Sequence, residues 1–274
     1  MQAIDVTPKV WNHILAMRAG EHCLGTGNWS DGEDQTLALY GALARPKTKT
    51  SVVAQIGQSL DGRIATVTGD AQDISGEGGL AHLHRIRALV DAVVIGVNTA
   101  LHDNPRLTVR LAKGKNPARV VIDPRGRLPN DIGLLQDNSV RRIVIQTVNK
   151  PRPAGVEVIT LPKGTWISPR AIVRALNALG LNHLLIEGGG ITIAQFLEAN
   201  ALTRLHVAVA PLLIGAGPQG LTTSPIATLA QARRPETHVY GLGSDVLFDC
   251  VLAAEPIPNR VPPLARQTAA NLCS

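Results

Sequence analysis

Residues 183–190 read His183-Leu-Leu-Ile-Glu-Gly-Gly-Gly190, and the helical pattern of Ile191–Ala199 follows directly. An apolar run, three glycines and then helical periodicity predict a buried strand that turns straight into a helix N-terminus. Such a turn brings backbone close to a phosphate and offers it free N–H groups. The same glycines also suit a tight turn that needs positive φ, and the run lacks the G-x-G-x-x-G spacing of a dinucleotide fingerprint. Glu187 ends the strand, where open α/β sheets place their ligands. A lone glutamate there also serves as a helix cap.

The alternation extends from Ser51 to Leu252. Further candidate strands are Val52–Ile56, Ala92–Ile95, Arg119–Ile122, Arg142–Gln146, Val156–Thr160, Leu205–Ala210 and Val246–Val251. Several are continuous Val/Ile/Leu runs, as expected of strands covered on both faces. One helix is predicted from just after Ser75 to about Val90. Another has Ser168 as cap, Pro169 at its first position and Gly180 as its stop. This order predicts an α/β fold with a covered, mainly parallel sheet. Ahead of it, Thr7-Pro8 opens a helix with Val10, Trp11, Ile14, Leu15 and Met17 on one face. Arg45–Lys49 reads as a linker. The expected division is an N-terminal helical extension and linker (1–49), a main domain (50–253) and a proline-rich tail (254–274).

Of the 274 residues, 45% are hydrophobic and 18% charged. That balance supports a proper core and excludes disordered, collagen-like and disulfide-scaffold classes. No stretch reaches the ~18–20 apolar residues of a membrane span, and residues 1–20 lack the features of a secretory leader. A soluble, cytoplasmic protein is predicted. The net charge is +6, but the basic residues are scattered and aromatics are few. Both features argue against a nucleic-acid surface and for a small anion such as a phosphate ester, with plain solubility as the alternative. Cys23, Cys250 and Cys273 have no C-x-x-C spacing and read as thiols of a reducing compartment. The H-x-E and P-C-x-x-C elements of zinc deaminases are absent. His82 and His84 sit two apart on a helix and so face different ways. No metal is predicted.

Three other segments are candidates for chemistry. In Ser59-Leu-Asp-Gly-Arg63, Asp-Gly signals a tight turn. Gly96–Thr99 and His102–Arg110 follow a buried strand as a polar loop; an aspartate with two arginines suits a sugar phosphate, although a solvated loop is the plain alternative. The basic residues of His84-Arg-Ile-Arg-Ala88 read as an exposed helix face.

Taken in order, Gln58–Thr66, Gly69-Asp70, Ile74-Ser75, Arg85–Arg87, Ile95-Gly96, Thr99, Asp103–Thr108, Val121–Asp123 and Glu187–Gly190 resemble the pyrimidine reductases of riboflavin biosynthesis. Ala210–Gly215 and Gly243–Val246 extend the likeness, which covers about residues 50–252. The resemblance implies a dihydrofolate-reductase-like mixed sheet flanked by helices, a homodimer, and NADPH-dependent reduction of the ribosyl group of a phosphoribosylamino-pyrimidine to ribityl. By motif it assigns Thr66, Gly96, Thr99, Gly188, Gly189 and Gly190 to the cofactor. Gln55, Ser75, Arg87, Asn104, Leu107 and Arg110 fall to the substrate, with Arg110 and Arg87 on the phosphate. Asp103 and Glu187 are the acid/base candidates, or else acceptors for ribose hydroxyls. Bacterial bifunctional relatives often carry Lys at Gln55 and Trp-Ile at Asp73-Ile74, which leaves the choice of pyrimidine open. A reductase of another heterocycle, such as a pterin, and a non-catalytic nucleotide-binding paralogue are the alternatives.

Overall fold

A computed structural model describes residues 1–21, 27–44, 50–72, 74–162 and 167–252. The linker at 45–49, the proline-rich tail, Asp73, Cys23 and Cys273 lie outside the described residues. Along the chain come β1 (Gln2–Ala3), α1 (Pro8–Ala19), α2 (Asp31–Thr36), a π-helical turn (Leu37–Gly41) and α3 (Ala42–Ala44). Next are β2 (Ser51–Ser59), α4 (Glu77–Leu89), β3 (Ala92–Gly96), α5 (Val97–Asp103), β4 (Ala118–Ile122) and α6 (Gly133–Gln136). They lead to β5 (Arg142–Gln146), β6 (Val156–Thr160), α7 (Pro169–Ala178), β7 (His183–Ile186), α8 (Gly190–Glu198), β8 (Arg204–Ala210), β9 (Glu236–Leu242) and β10 (Asp245–Val251).

The strands form one ten-stranded sheet in the order β1-β9-β10-β8-β2-β7-β3-β4-β5-β6. Among the described residues only β10 runs antiparallel to its neighbours, β8 and β9. This is the mixed, mainly parallel sheet flanked by helices that the resemblance implies. Because side chains alternate across a strand, each central strand feeds two cores. Val53, Val93, Ile95, Val121, Val144 and Leu185 face one layer with α1, the π turn and α4. Val52, Val94, Val120, Ile143, Leu184 and Ile186 face the other, with α7 and α8.

The eight predicted strands all appear, and the helices begin within about two residues of their expected starts. Two strands escape the sequence reading. β1 is two residues long, and β9 has an exposed polar start, Glu236-Thr237. Its other end places Tyr240 and Leu242 in the core, and it pairs with both β10 and β1. Val97–Asp103, expected as loop, is a short helix, so Asp103 is its last residue. The N-terminal segment contributes Val10, Trp11, Ile14, Leu39, Tyr40 and Leu43 to the same core as Val53 and Leu185. Thr7 caps α1 by accepting from the Val10 N–H, and Gly20 ends it in the left-handed region (φ 76°).

Candidate active site

At the carboxyl ends of β3, β4 and β7 a cavity of about 390 Å³ opens. Gly96, Thr99, Gly189 and Gly190 line it, together with Asn98, Arg125, Arg127 and Gln195. Thr66 and Gly188, also assigned to the cofactor by motif, are not in that lining. Thr66 instead pins a neighbouring turn, its hydroxyl accepting from the Asp70 N–H at 3.1 Å.

Each glycine of the run has its own reason to lack a side chain. Gly188 sits at φ +96°, and a Cβ there would lie 2.6 Å from Thr99 Oγ1. A Cβ on Gly190 would come within 1.8 Å of the Gly220 carbonyl oxygen. Gly189 has φ −62° and meets only Thr99 Oγ1, at 3.7 Å; the Gly189 N–H donates to that same hydroxyl at 3.1 Å. Two of the three glycines therefore serve packing, and Gly189 is the position where a side chain has room. Gly190→Ala should cost about 1–3 kcal/mol through overpacking against backbone. Gly189→Ala should leave thermal stability near wild type and weaken only ligands that enter the cavity. Equal stability losses in the two variants would overturn this division of roles.

Beside the cavity lies a charged cluster. Arg87 Nε and Nη2 donate to both oxygens of Glu187, at 2.8 and 2.7 Å, and Nη1 donates to the Thr108 carbonyl at 3.1 Å. Both side chains are buried, at 8% and 7% exposure. The expected exposed basic face of α4 is therefore corrected: Arg87 points inward, because a carboxylate at the end of β7 awaits it. Burial lowers the Arg87 pKa, but the Glu187 charge and hydrogen bonds outweigh it and hold it above the usual arginine value. For Glu187 to transfer a proton, this fork would have to open. Accepting ribose hydroxyls on its remaining lone pairs needs no such rearrangement.

Arg110 is exposed, its Nη1 donating to Thr108 Oγ1 at 2.9 Å. Its backbone N–H donates to His84 Nδ1 at 2.8 Å, so the His84 proton rides on Nε2. Burial, then the Arg87 and Arg110 charges, pull the His84 imidazole down to about 4. The folded value lies below the ordinary 6.5, so the stabilisation is complete above pH ~6.5. It is lost as pH falls towards 4, because in that window only the unfolded chain takes up the proton. His82, also lowered by burial, adds to the same trend. Thermal unfolding should show a loss on the order of 2 kcal/mol between about pH 6.5 and 4. His84→Gln, which can still accept from Arg110, should flatten part of that slope. An unchanged slope in this variant would refute the assignment.

The other residues that the resemblance assigns to the substrate lie on several elements. Gln55 is buried on β2, in register with His206 of β8. Ser75 lies against Gly57 of β2, its Oγ 2.6 Å from where a Cβ on that glycine would stand. Asn104 and Leu107 both have positive φ, 39° and 51°. Strained backbone of this kind persists only where its surroundings hold it. The Leu107 side chain is buried in the core, so only its backbone can meet a ligand. Asp103 pairs with His102 at 2.7 Å and keeps 48% of its side chain exposed. It does not join the Arg87–Glu187 pair.

Arg125 and Arg127 were not singled out by the sequence reading. The signal was the Asp123-Pro-Arg-Gly-Arg127 turn after an apolar strand, whose aim at the cavity only the fold reveals. No group of metal-ligating side chains occurs among the described residues, and none of their helices is long and apolar enough to cross a membrane.

Residues 50–248 match the sequence profile described as the RibD C-terminal domain. The 2,5-diamino-6-ribosylamino-4(3H)-pyrimidinone 5′-phosphate reductase of Methanothermobacter thermautotrophicus is 32% identical over 211 residues. That match covers 72% of this chain and 96% of that one. The riboflavin biosynthesis protein RibD of Actinobacillus pleuropneumoniae is 30% identical over 216 residues, 73% of this chain; the match spans 56% of that protein, just over half its length. A solved Thermotoga maritima structure, a diaminohydroxyphosphoribosylaminopyrimidine deaminase/5-amino-6-(5-phosphoribosylamino)uracil reductase, superposes with a TM-score of 0.68 at 25% identity. It covers 81% of this chain and 62% of its own. With the sheet order, the glycine turn and a profile match over most of its length in agreement, the chain belongs to the RibD C-terminal domain family.

Proposed function

We propose that this protein reduces the ribosyl group of a 5-phosphoribosylamino-pyrimidine to ribityl in riboflavin biosynthesis, using NADPH. The observation that carries this reading is one chain turn, Glu187–Gly190, that serves two sites. Gly189 and Gly190 line the cavity, and the glutamate holds Arg87. The residues suit a nicotinamide dinucleotide: Gly189 leaves room beside the α8 N-terminus, and two arginines line the same cavity. Bound there, NADPH would supply the hydride. The chain's own residues would do the rest. Arg110, exposed and free to swing from Thr108, would grip the substrate phosphate as a charge-assisted fork. Glu187 would accept ribose hydroxyls and fix the sugar. Asp103, exposed at the end of α5, would move the proton that ring opening requires. The resemblance also supports a cytoplasmic homodimer.

The deciding experiment follows NADPH consumption with the 2-amino and 2-oxo phosphoribosylamino-pyrimidines and dihydrofolate side by side. Turnover of one or both pyrimidines, and not of dihydrofolate, is expected. Turnover of dihydrofolate alone would point to another heterocycle, and no turnover at all to a non-catalytic paralogue.

A further inference from the structure

The turn that follows β2 holds a segment 153 positions further along the chain. Asp61 accepts from the Ser59 hydroxyl at 2.5 Å and from the successive Ile214 and Gly215 N–H groups at 3.1 and 2.6 Å. Successive backbone N–H groups that converge in this way make an anion-binding concavity, and Gly215 supplies the φ of +83°. The Ser59 hydroxyl, then the two N–H groups, hold the Asp61 carboxyl down to about 2. Arg63 Nε and Nη1 donate to the Gly215 and Gly217 carbonyls at 2.8 and 3.1 Å. The Leu60 and Ile64 N–H groups donate to the Leu212 and Pro218 carbonyls at 2.9 and 3.0 Å, and the Gly220 N–H donates to the Gly62 carbonyl at 2.9 Å.

The held segment, residues 212–220, belongs to no helix or strand, yet it walls the cavity. Its Pro218 and Gln219 line that space with Ile64 of the turn and with Gly189 and Gly190. The Gly220 carbonyl oxygen is the atom that a Cβ on Gly190 would strike, so the segment packs directly on the start of α8. On its other side the approach is as close. A Cβ on Gly217 would come within 2.1 Å of the Ala65 carbonyl oxygen, and one on Gly220 within 2.4 Å of Gln58 Oε1. The segment is thus gripped between the turn after β2 and the glycine turn before α8. A stretch without ladder hydrogen bonds opens easily unless such specific contacts hold it.

We propose that Asp61 and Arg63 are positioning residues that, from outside the cavity, fix the 212–220 wall where it grips the nicotinamide dinucleotide. The proposal rests on the reading of the cavity as a dinucleotide site. Neither side chain lines that cavity, so the effect travels through backbone. Asp61 holds two N–H groups of the wall and Arg63 two of its carbonyls, all by charge-assisted bonds. Without the carboxylate, the Ile214 and Gly215 N–H groups turn to water. The Gly220 carbonyl is then free to shift against Gly190.

The test combines NADPH binding by nucleotide fluorescence without substrate, amide hydrogen exchange without nucleotide, and thermal unfolding. The proteins are wild type, Asp61→Asn, Asp61→Ala and Arg63→Met. Asp61 is exposed, so its variants should melt within about 2 °C of wild type. In Asp61→Ala the Ile214 and Gly215 amides should exchange at least about tenfold faster, and the NADPH Kd should rise about tenfold. Asp61→Asn keeps an acceptor oxygen but no charge, so both readouts should fall between wild type and Asp61→Ala. Arg63→Met should raise the NADPH Kd in the same direction. At saturating NADPH the KM for the phosphorylated pyrimidine should stay at its wild-type value, a split that general destabilisation would not give. Faster exchange with an unchanged NADPH Kd would overturn the proposal, since the wall would not shape the cavity. Unchanged exchange at Ile214 and Gly215 would overturn it as well, and so would protection lost evenly over the whole sheet, which would leave Asp61 a role in the fold alone. Wild type that binds no NADPH would reject the dinucleotide reading itself, a result read before any variant is compared.

Discussion

Glu187→Gln is expected to remove about 3–5 kcal/mol of stability, because it leaves the buried Arg87 guanidinium without its carboxylate. Arg87 would keep the Thr108 carbonyl and one neutral amide oxygen as acceptors, and the burial that opposes its charge would no longer be outweighed. Urea unfolding measures the loss. A second variant separates structure from chemistry. Arg87→Met combined with Glu187→Gln removes both charges, and stability should return to within about 1–2 kcal/mol of wild type, since buried ion pairs are often replaceable by apolar contacts. Reductase activity should fall in the double variant, because the charged carboxylate proposed to accept the sugar hydroxyls is replaced by a weaker neutral acceptor. Full activity there would show that Glu187 serves only the fold. Asp103→Asn offers the contrast. Its exposed side chain predicts a stability change within about 0.5 kcal/mol, and a fall in kcat if it moves the ring-opening proton.

Arg110→Ala should weaken the substrate by about 2–5 kcal/mol if the phosphate it pairs with is left desolvated. The loss should appear mainly in KM for the phosphorylated substrate, with the affinity for NADPH unchanged. Stability should also be unaffected, since the guanidinium is exposed and the His84 contact uses only the Arg110 backbone N–H. Arg110→Lys should recover only part of the binding, because a lysine cannot form the planar fork. Wild-type kinetics in Arg110→Ala would move the phosphate elsewhere, and Arg125 and Arg127 would be the next candidates.

Local pattern settled much of this molecule. Continuous apolar runs such as Ala92–Ile95 and His183–Ile186 read as strands buried on both faces, and β3 and β7 are such strands. Pro169 and Gly180 bracket α7 because proline suits a helix start and φ +80° suits glycine. The order of short motifs was specific enough to point to the family and to the Glu187–Gly190 turn. What sequence could not reveal depends on partners far along the chain. Arg87 looked like a surface residue because its partner is one hundred positions away. Gly190 looked like a phosphate cradle, yet its lack of a side chain is demanded by Gly220. Leu107 read as a ligand contact, but its side chain is drawn into the core while its backbone takes a left-handed turn. The aim of Arg125 and Arg127 follows from side chains on the β5–β6 connection that fix their turn. Strand and helix propensity is carried by neighbours within a few residues. Burial, ion pairing and steric exclusion are fixed only once the sheet order brings distant segments into contact.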